Sequence, residues 1–367
     1  MLEFLRKTIS EMVAIRSLTG QETALADYVE AQLRGLGLAA QRDDQDNLWV
    51  DVGPDGAAAQ RLHVNAHMDT VTPGPGWETD PFTPVCKGDR LVGLGTSDCK
   101  SGLAAMLWLA PRVRPRVPVR FSFTVSEEGH VPHRENGSRR MAAAGGRWAI
   151  TCEPSCSVDG PGISLGTQGH AKATVRFAGT AAHSSRPDLG DNAILAAARF
   201  CADLAALQAG YPEQRLHGDA VARAAIAPTM IQGGRLVNVI PDACEVRVSR
   251  RLAPGESAAT FDAELRRLLE GTRGTHEIQC DGPCAMVDRD GALFAAARQA
   301  VTAVAGRERC LFQRGRTDAV IYAGAGMDTI TIGPGQAGRS HTANEYVVLP
   351  VAADCVRVLE RVINTLS

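Results

Sequence analysis

No stretch of this sequence runs through the ~18 or more apolar residues that a bilayer-spanning helix needs. The apolar core of a secretory leader is missing as well. The opening residues place Leu2, Leu5, Ile9, Met12 and Val13 at helical spacing among Glu3, Arg6, Lys7 and Glu11. That pattern reads as an amphipathic helix of a folded domain, so a soluble, cytoplasmic protein with no membrane partner is expected. An excess of one charge is also lacking: 39 Lys and Arg face 41 Asp and Glu, for a formal net charge of -2. Binding a phosphate backbone needs a strongly basic patch, so nucleic acid is not an expected partner. The loose cluster Arg139, Arg140 and Arg147 reads as a solvated face. The ten cysteines form no repeated short-spaced set. Cys152 and Cys156, like Cys280 and Cys284, stand as isolated pairs, so reduced thiols are expected in place of disulfides or a structural zinc knuckle.

What is present is enough chain, 367 residues with 44% hydrophobic, for one large or two moderate domains. Helical spacing recurs over 22–36 and 102–113, and strand-like runs occupy 47–52, 61–66, 117–125 and 148–151. Strands separated by helices imply an α/β layered domain, whose sites gather at the carboxyl ends of strands. From Gly169 the texture changes. Strands are expected over 170–178, 229–232, 244–252 and 275–279, with helices over 192–208 and 261–269, an order that fits a small α+β sandwich. Helical texture resumes at 293–304 and a strand at 328–332. The expected organisation is a catalytic domain in two parts, 1–168 and 281–367, interrupted by an inserted domain, 169–280.

Four short segments carry chemistry. His67-Met68-Asp69-Thr70-Val71 follows the apolar run 62–66. A histidine at a strand end can give one ring nitrogen to a metal while a carboxylate such as Asp69 holds the other N–H; alone, the segment reads equally as a surface turn. Asp98 lies in the glycine-flanked run Gly95-Thr96-Ser97-Asp98-Cys99-Lys100-Ser101-Gly102. Such an aspartate is a turn or N-cap residue, or a carboxylate brought close to a cation. Its glycine and lysine spacing does not make a phosphate loop. Glu127 and Glu128 follow the third strand, where adjacent glutamates mean either solvent exposure or a base beside a metal ligand. Glu153 sits at the next strand end. His341 lies in Arg339-Ser340-His341-Thr342-Ala343-Asn344-Glu345-Tyr346. Nitrogen and oxygen donors of this kind suit zinc, with cobalt or manganese as substitutes.

Taken together and in order, these segments resemble the two-zinc aminoacylase and carboxypeptidase family of metallopeptidases, which includes acetylornithine deacetylase and succinyl-diaminopimelate desuccinylase. The resemblance spans nearly the whole chain. It implies a zinc-peptidase-like mixed sheet with an inserted lid that makes a homodimer. It implies that Asp98 bridges two zinc ions, that His67 and Glu153 complete one site, and that Glu128 and His341 complete the other. Glu127 would be the general base acting on a metal-bridging water, with Asp69 orienting His67. His183, in Gly179-Thr180-Ala181-Ala182-His183-Ser184-Ser185, would reach the partner subunit's active site and stabilise the oxyanion. Asn238, Arg251, Thr317 and Gly333 would serve the substrate, Arg251 by gripping its carboxylate.

The activity so implied is removal of an acyl group from a small N-acyl amino acid. The alternative is cleavage of a dipeptide or a carboxy-terminal peptide bond by the same metals. Two departures from the family's pattern stand out. Gly129-His130-Val131-Pro132-His133-Arg134 replaces a glycine-rich helix start beside the base, and Ser249 stands where an aspartate is common before Arg251.

Overall fold

Six consecutive buried residues, Leu62–His67, form the strand around which the larger part of the chain is layered. Both of its neighbours, Val119–Thr124 and Trp148–Thr151, run parallel to it. Parallel strands with both faces covered hold apolar residues at nearly every position, and these three are almost wholly buried. The computed structural model describes the chain from Met1 to Ser367, apart from the side chain of Asp281. Across the main sheet the order is Gln41–Arg42, Leu48–Val52, Val119–Thr124, Leu62–His67, Trp148–Thr151, Asp328–Thr331, Ile163–Thr167 and Ala285–Met286, with Cys310–Gln313 also paired to Ile163–Thr167. The outer strand Leu48–Val52 is antiparallel to its neighbour, so the sheet is mixed. Helices Leu2–Ala14, Lys100–Leu109, Ala292–Ala305 and Leu349–Thr365 pack on one another in one layer. Gly137–Ala143 and Ala319–Gly324 pack together in another cluster around Met141, Ala149, Tyr322 and Met327. The architecture is the layered α/β arrangement with a mixed sheet expected from the sequence.

A second sheet, ordered Ala225–Gly233, Ala243–Leu252, Gly169–Ala178 and Gly274–Gly282, is antiparallel throughout. With helices Ala193–Gly210 and Ala258–Leu269 it encloses a separate core that includes Val175, Phe177, Phe200, Val246 and Phe261. The chain leaves the main sheet after Thr167 and re-enters at Ala285, and those two residues are partners in the register. This unit therefore hangs from paired neighbouring strands. One short hairpin breaks the pattern. Glu213–Arg215 pairs with Val221–Arg223 between the helix and edge strand of the second unit, yet Ala220 of this hairpin lies in the core of the larger one.

Several elements escape the periodicity reading. Ile163–Thr167 and Cys310–Gln313 are too short, and too rich in small or polar residues, to stand out. The helix Ala193–Gly210 corrects another expectation, because by length and composition it is apolar enough to cross a membrane. It carries exposed Arg199 and Asp203, and it beds Ala193, Ala197, Phe200 and Leu204 in the second core.

Candidate active site

Parallel strands deliver their carboxyl ends to one edge of the sheet, and that edge collects the sequence's chemical segments. His67 is the last residue of its strand and is buried. Its Nε2 lies 3.0 Å from Asp98 Oδ1 and 3.6 Å from Glu153 Oε1. On the other side of the same aspartate, His341 Nε2 lies 3.7 Å from Asp98 Oδ2 and 2.8 Å from the Glu128 carboxylate. Asp98 thus turns one oxygen to each of two clusters. Ligand atoms of His67, Asp98 and Glu153 lie within 4.8 Å of one another, as do those of Asp98, Glu128 and His341, and those of His67, Glu127 and Glu128.

Asp69 differs in detail from the sequence expectation. His67 Nδ1 lies nearer the main-chain oxygen of Asp69, at 3.0 Å, than its carboxylate, at 3.5 Å. The carboxylate instead accepts the backbone N–H groups of Glu127 at 3.0 Å and Glu128 at 2.9 Å, and the Thr19 hydroxyl at 2.8 Å. It therefore fixes the turn that presents both glutamates. Ser126, at the head of that turn, has φ of 60°, and His341 has φ of 62°. Non-glycine residues there carry of order 1–3 kcal/mol of strain, which the surroundings must over-determine.

Sequence reasoning gave no role to three residues that build this site. Glu345 is buried, and its carboxylate accepts N–H groups of Gly95 at 3.1 Å, Ser97 at 2.7 Å and Asp98 at 2.9 Å. It holds the whole loop that presents Asp98. Lys100, also buried, ties the same loop to the first helix by donating to the carbonyls of Met12 and Ile15. Asp318 is the third. It accepts from Asn65 Nδ2 at 3.0 Å, from Asn136 Nδ2 at 2.8 Å and from the Ser138 hydroxyl, and its charge acts on Glu127. The available signal was an acidic residue in a helix-start segment, which looks like an ordinary cap.

The electrostatics are those of a site crowded with acid. Burial, then the nearby Asp318, pushes the Glu127 carboxyl well above its usual range; burial and Asp98 do the same to Glu153. Glu128 is raised by burial and Asp98, against its bond to His341. Burial opposes charge on His67, but Glu153, Asp69 and Asp98 outweigh it and hold the imidazolium well above its ordinary value. The bond to Glu128 raises His341 to about 9. The surrounding acids thus favour positive charge at both imidazoles. Divalent cations would supply it instead, with neutral imidazoles as ligands, and the hard-oxygen and nitrogen donor set fits that role.

The remaining sequence candidates lie in different places. Thr317 is buried, and its hydroxyl accepts the N–H of Ala319 at the start of the following helix. Gly333 packs behind Glu153: a side chain there would meet the Cys152 carbonyl at 2.1 Å. At Gly335 the obstruction would be the Ser97 carbonyl at 2.2 Å, so the turn wedges between the Glu153 strand end and the Asp98 loop. His183 and Asn238 are neighbours on the second unit. Ala182–His183 pairs with Val239–Ile240, Ser184 N–H donates to the Asn238 carbonyl, and His183 Nδ1 lies 2.8 Å from the Ser185 hydroxyl. Arg251 stands opposite His170 and Ala225 in the second sheet. Ser249, two residues before it, lies 3.1 Å from His170 Nε2.

The model of peptidase family M20/M25/M40 matches residues 63–365. Among curated relatives, the chain is 30% identical over 362 residues to succinyl-diaminopimelate desuccinylase of Stenotrophomonas maltophilia strain K279a, with 92% of each chain covered. To acetylornithine deacetylase of Myxococcus xanthus it is 28% identical over 386 residues, covering 99% of this chain and 97% of that one. Among solved structures, aminopeptidase PepT of Bacillus cereus superposes with a TM-score of 0.76 at 22% identity, covering 100% and 99%. The Bacillus subtilis YXEP protein, described as a dinuclear metal-binding peptidase, superposes with a TM-score of 0.75 at 16% identity, covering 99% and 97%.

Proposed function

This chain belongs to the M20/M25/M40 peptidase family and is a hydrolase of amide bonds, and on that premise we propose that it removes the acyl group from a small N-acyl amino acid, using two zinc ions. The observation that carries this reading is the division of Asp98 between two clusters. His67 and Glu153 face one of its oxygens, and Glu128 and His341 face the other. Bound there, the ions would polarise the scissile carbonyl and acidify water. The curated relatives favour the deacylase branch, since their names describe desuccinylation and deacetylation.

The work of the chain's own groups follows from their placement. Glu127 holds no place in either Asp98 cluster yet lies within reach of His67 and Glu128. It takes the proton from the attacking water and returns it to the departing amine. Asp69 aims Glu127 and Glu128 through their backbone N–H groups. Arg251 pairs with the substrate carboxylate, a charge-assisted contact, and Asn238, Thr317 and Gly333 line the approach. His183 acts from the other subunit as oxyanion donor. A dimer is supported by the second unit's surface, where Leu189, Leu195, Met230, Ile231, Leu236 and Val237 are exposed. The strand Ala225–Gly233 also stands at the edge of its four-stranded sheet, which invites a second copy.

The test is amine release from N-acetyl, N-succinyl and dipeptide substrates, with and without chelator. Turnover of an acyl class that chelator abolishes is expected. Turnover of dipeptides alone would move the chain to the peptidase branch. Glu127→Gln should retain bound metal yet lose at least ~10²–10⁴ in kcat; near-normal turnover would remove Glu127 as the base.

A further inference from the structure

Away from the carboxylate edge, two short sequence pairs meet. His217 and Asp219 lie in the turn of the hairpin that leaves the second unit, and Glu308 and Cys310 lie where the strand Cys310–Gln313 begins. His217 Nε2 is 2.6 Å from Glu308 Oε1, and Cys310 Sγ is 3.4 Å from the same oxygen. The ligand atoms of the three residues all lie within 4.8 Å of one another. We propose that His217, Glu308 and Cys310 form a metal site of the zinc class, distinct from the hydrolytic centre, that fastens this hairpin to the larger domain.

The chemistry of the donors selects the cation. A thiolate, an imidazole and a single carboxylate oxygen suit zinc or cobalt and disfavour magnesium and calcium, which demand oxygen. Tetrahedral zinc, with bonds of ~2.0 Å to nitrogen and oxygen and ~2.3 Å to sulfur, spaces its ligand atoms roughly 3.3–3.7 Å apart. The sulfur–oxygen separation already has that value. The histidine–glutamate contact must open by about 0.7 Å, a rotation available to side chains that are a third and a quarter exposed. The surroundings are those of a held ligand set. Arg298 Nε donates to Glu308 Oε2 at 2.8 Å, which occupies the other carboxylate oxygen and turns Oε1 toward His217 and Cys310. Phe294 meets the His217 ring edge-on with centroids 5.7 Å apart, fixing the imidazole plane. Asp219, in the same turn as His217, adds a further negative charge that acts on Cys310.

The location gives the site its consequence. The hairpin continues directly from the helix Ala193–Gly210 and leads into the edge strand Ala225–Gly233, both in the second unit, while its own Ala220 is buried in the larger core. A cation bound by His217 on one side and by Glu308 and Cys310 on the other joins the hairpin to the strand Cys310–Gln313 of the larger unit.

The protein, stripped by chelator and kept reduced, is titrated with cobalt(II) and, separately, loaded with zinc, desalted and analysed for metal. The expected result is a near-ultraviolet thiolate-to-cobalt charge-transfer band that Cys310→Ser and Cys310→Ala abolish. Those variants and His217→Ala should each hold one zinc per chain fewer than the parent. Neither readout depends on hydrolysis, and any metal at the Asp98 clusters, where Cys99 also lies, is common to parent and variants and cancels in the difference. No band in the parent protein, a band that survives both Cys310 variants, or equal zinc in parent and variants would each overturn the proposal. Should the Cys310 variants fail to fold, as judged by near-ultraviolet circular dichroism, the zinc content of His217→Ala decides it alone.

Discussion

His63 shows how much a single residue can report. It lies on the same strand as His67, fully buried, with Nε2 held 3.0 Å from the Gly145 carbonyl. Burial, seconded by Arg61 and Arg120 and opposed by Gly145 and Asp51, pulls its pKa down from 6.5 to about 4. Between those values the unfolded chain binds a proton that the folded chain refuses. Stability is therefore lost as pH falls from about 6.5 to about 4, by about 3 kcal/mol from this residue. Urea denaturation across that window should show the loss, and His63→Gln should flatten it by comparison with the parent. Glu345 makes a second test at this scale. Glu345→Gln keeps the volume but sets an amide N–H₂ against one of three N–H donors of the Asp98 loop. Competition against a chromogenic chelator should show metal affinity reduced roughly 10–100-fold; an unchanged affinity would mean the loop holds Asp98 without it. The sequence offered both residues in plain sight. It could not say that a glutamate 247 residues from Asp98 closes on its loop, because that contact exists only after the sheet has formed.

At the scale of elements, the second sheet shows what alternation encodes. Along Ala243–Leu252 buried and less buried residues alternate, so Arg250 and Arg251 point to opposite faces. Arg250 is fully buried, pairs with Glu256 and Glu264 at 3.0 Å each and stacks over Tyr211 at 4.5 Å. Removing it leaves two glutamates without their cation. Arg250→Met should destabilise the second unit by about 3 kcal/mol in chemical denaturation, whereas Arg251→Met should raise KM for a carboxylate substrate. The sequence identified this strand and its two helices, since period-2 and helical patterns are strong in a sheet with one packed face. It missed Ile163–Thr167, where Ser164 and Gly166 interrupt the pattern. A strand surrounded by neighbours on all sides needs no periodicity to be stable.

The whole molecule adds what no element has, an edge where separate strands converge and a surface offered to another copy. If the second unit forms a dimer, Ile231→Asp should yield monomers by sedimentation. Mixing His183→Ala with Glu127→Ala subunits should then recover part of the activity, because each mixed dimer keeps one intact composite site. Sedimentation of the parent as a monomer at micromolar concentration would remove that reading.

What the sequence by itself determined was local: the strands that lead into His67, into the Glu127–Glu128 turn and into Glu153, the break in texture at Gly169, and the order of segments that marks the family. Each of these is written in consecutive residues, through periodicity, turn chemistry and side-chain type. Only the tertiary structure decided that Asp98 divides its oxygens between two histidines, that Asp69 steadies glutamates more than it steadies His67, and that His217 meets Cys310. Those are distances between segments far apart in the chain, and packing, not propensity, sets them.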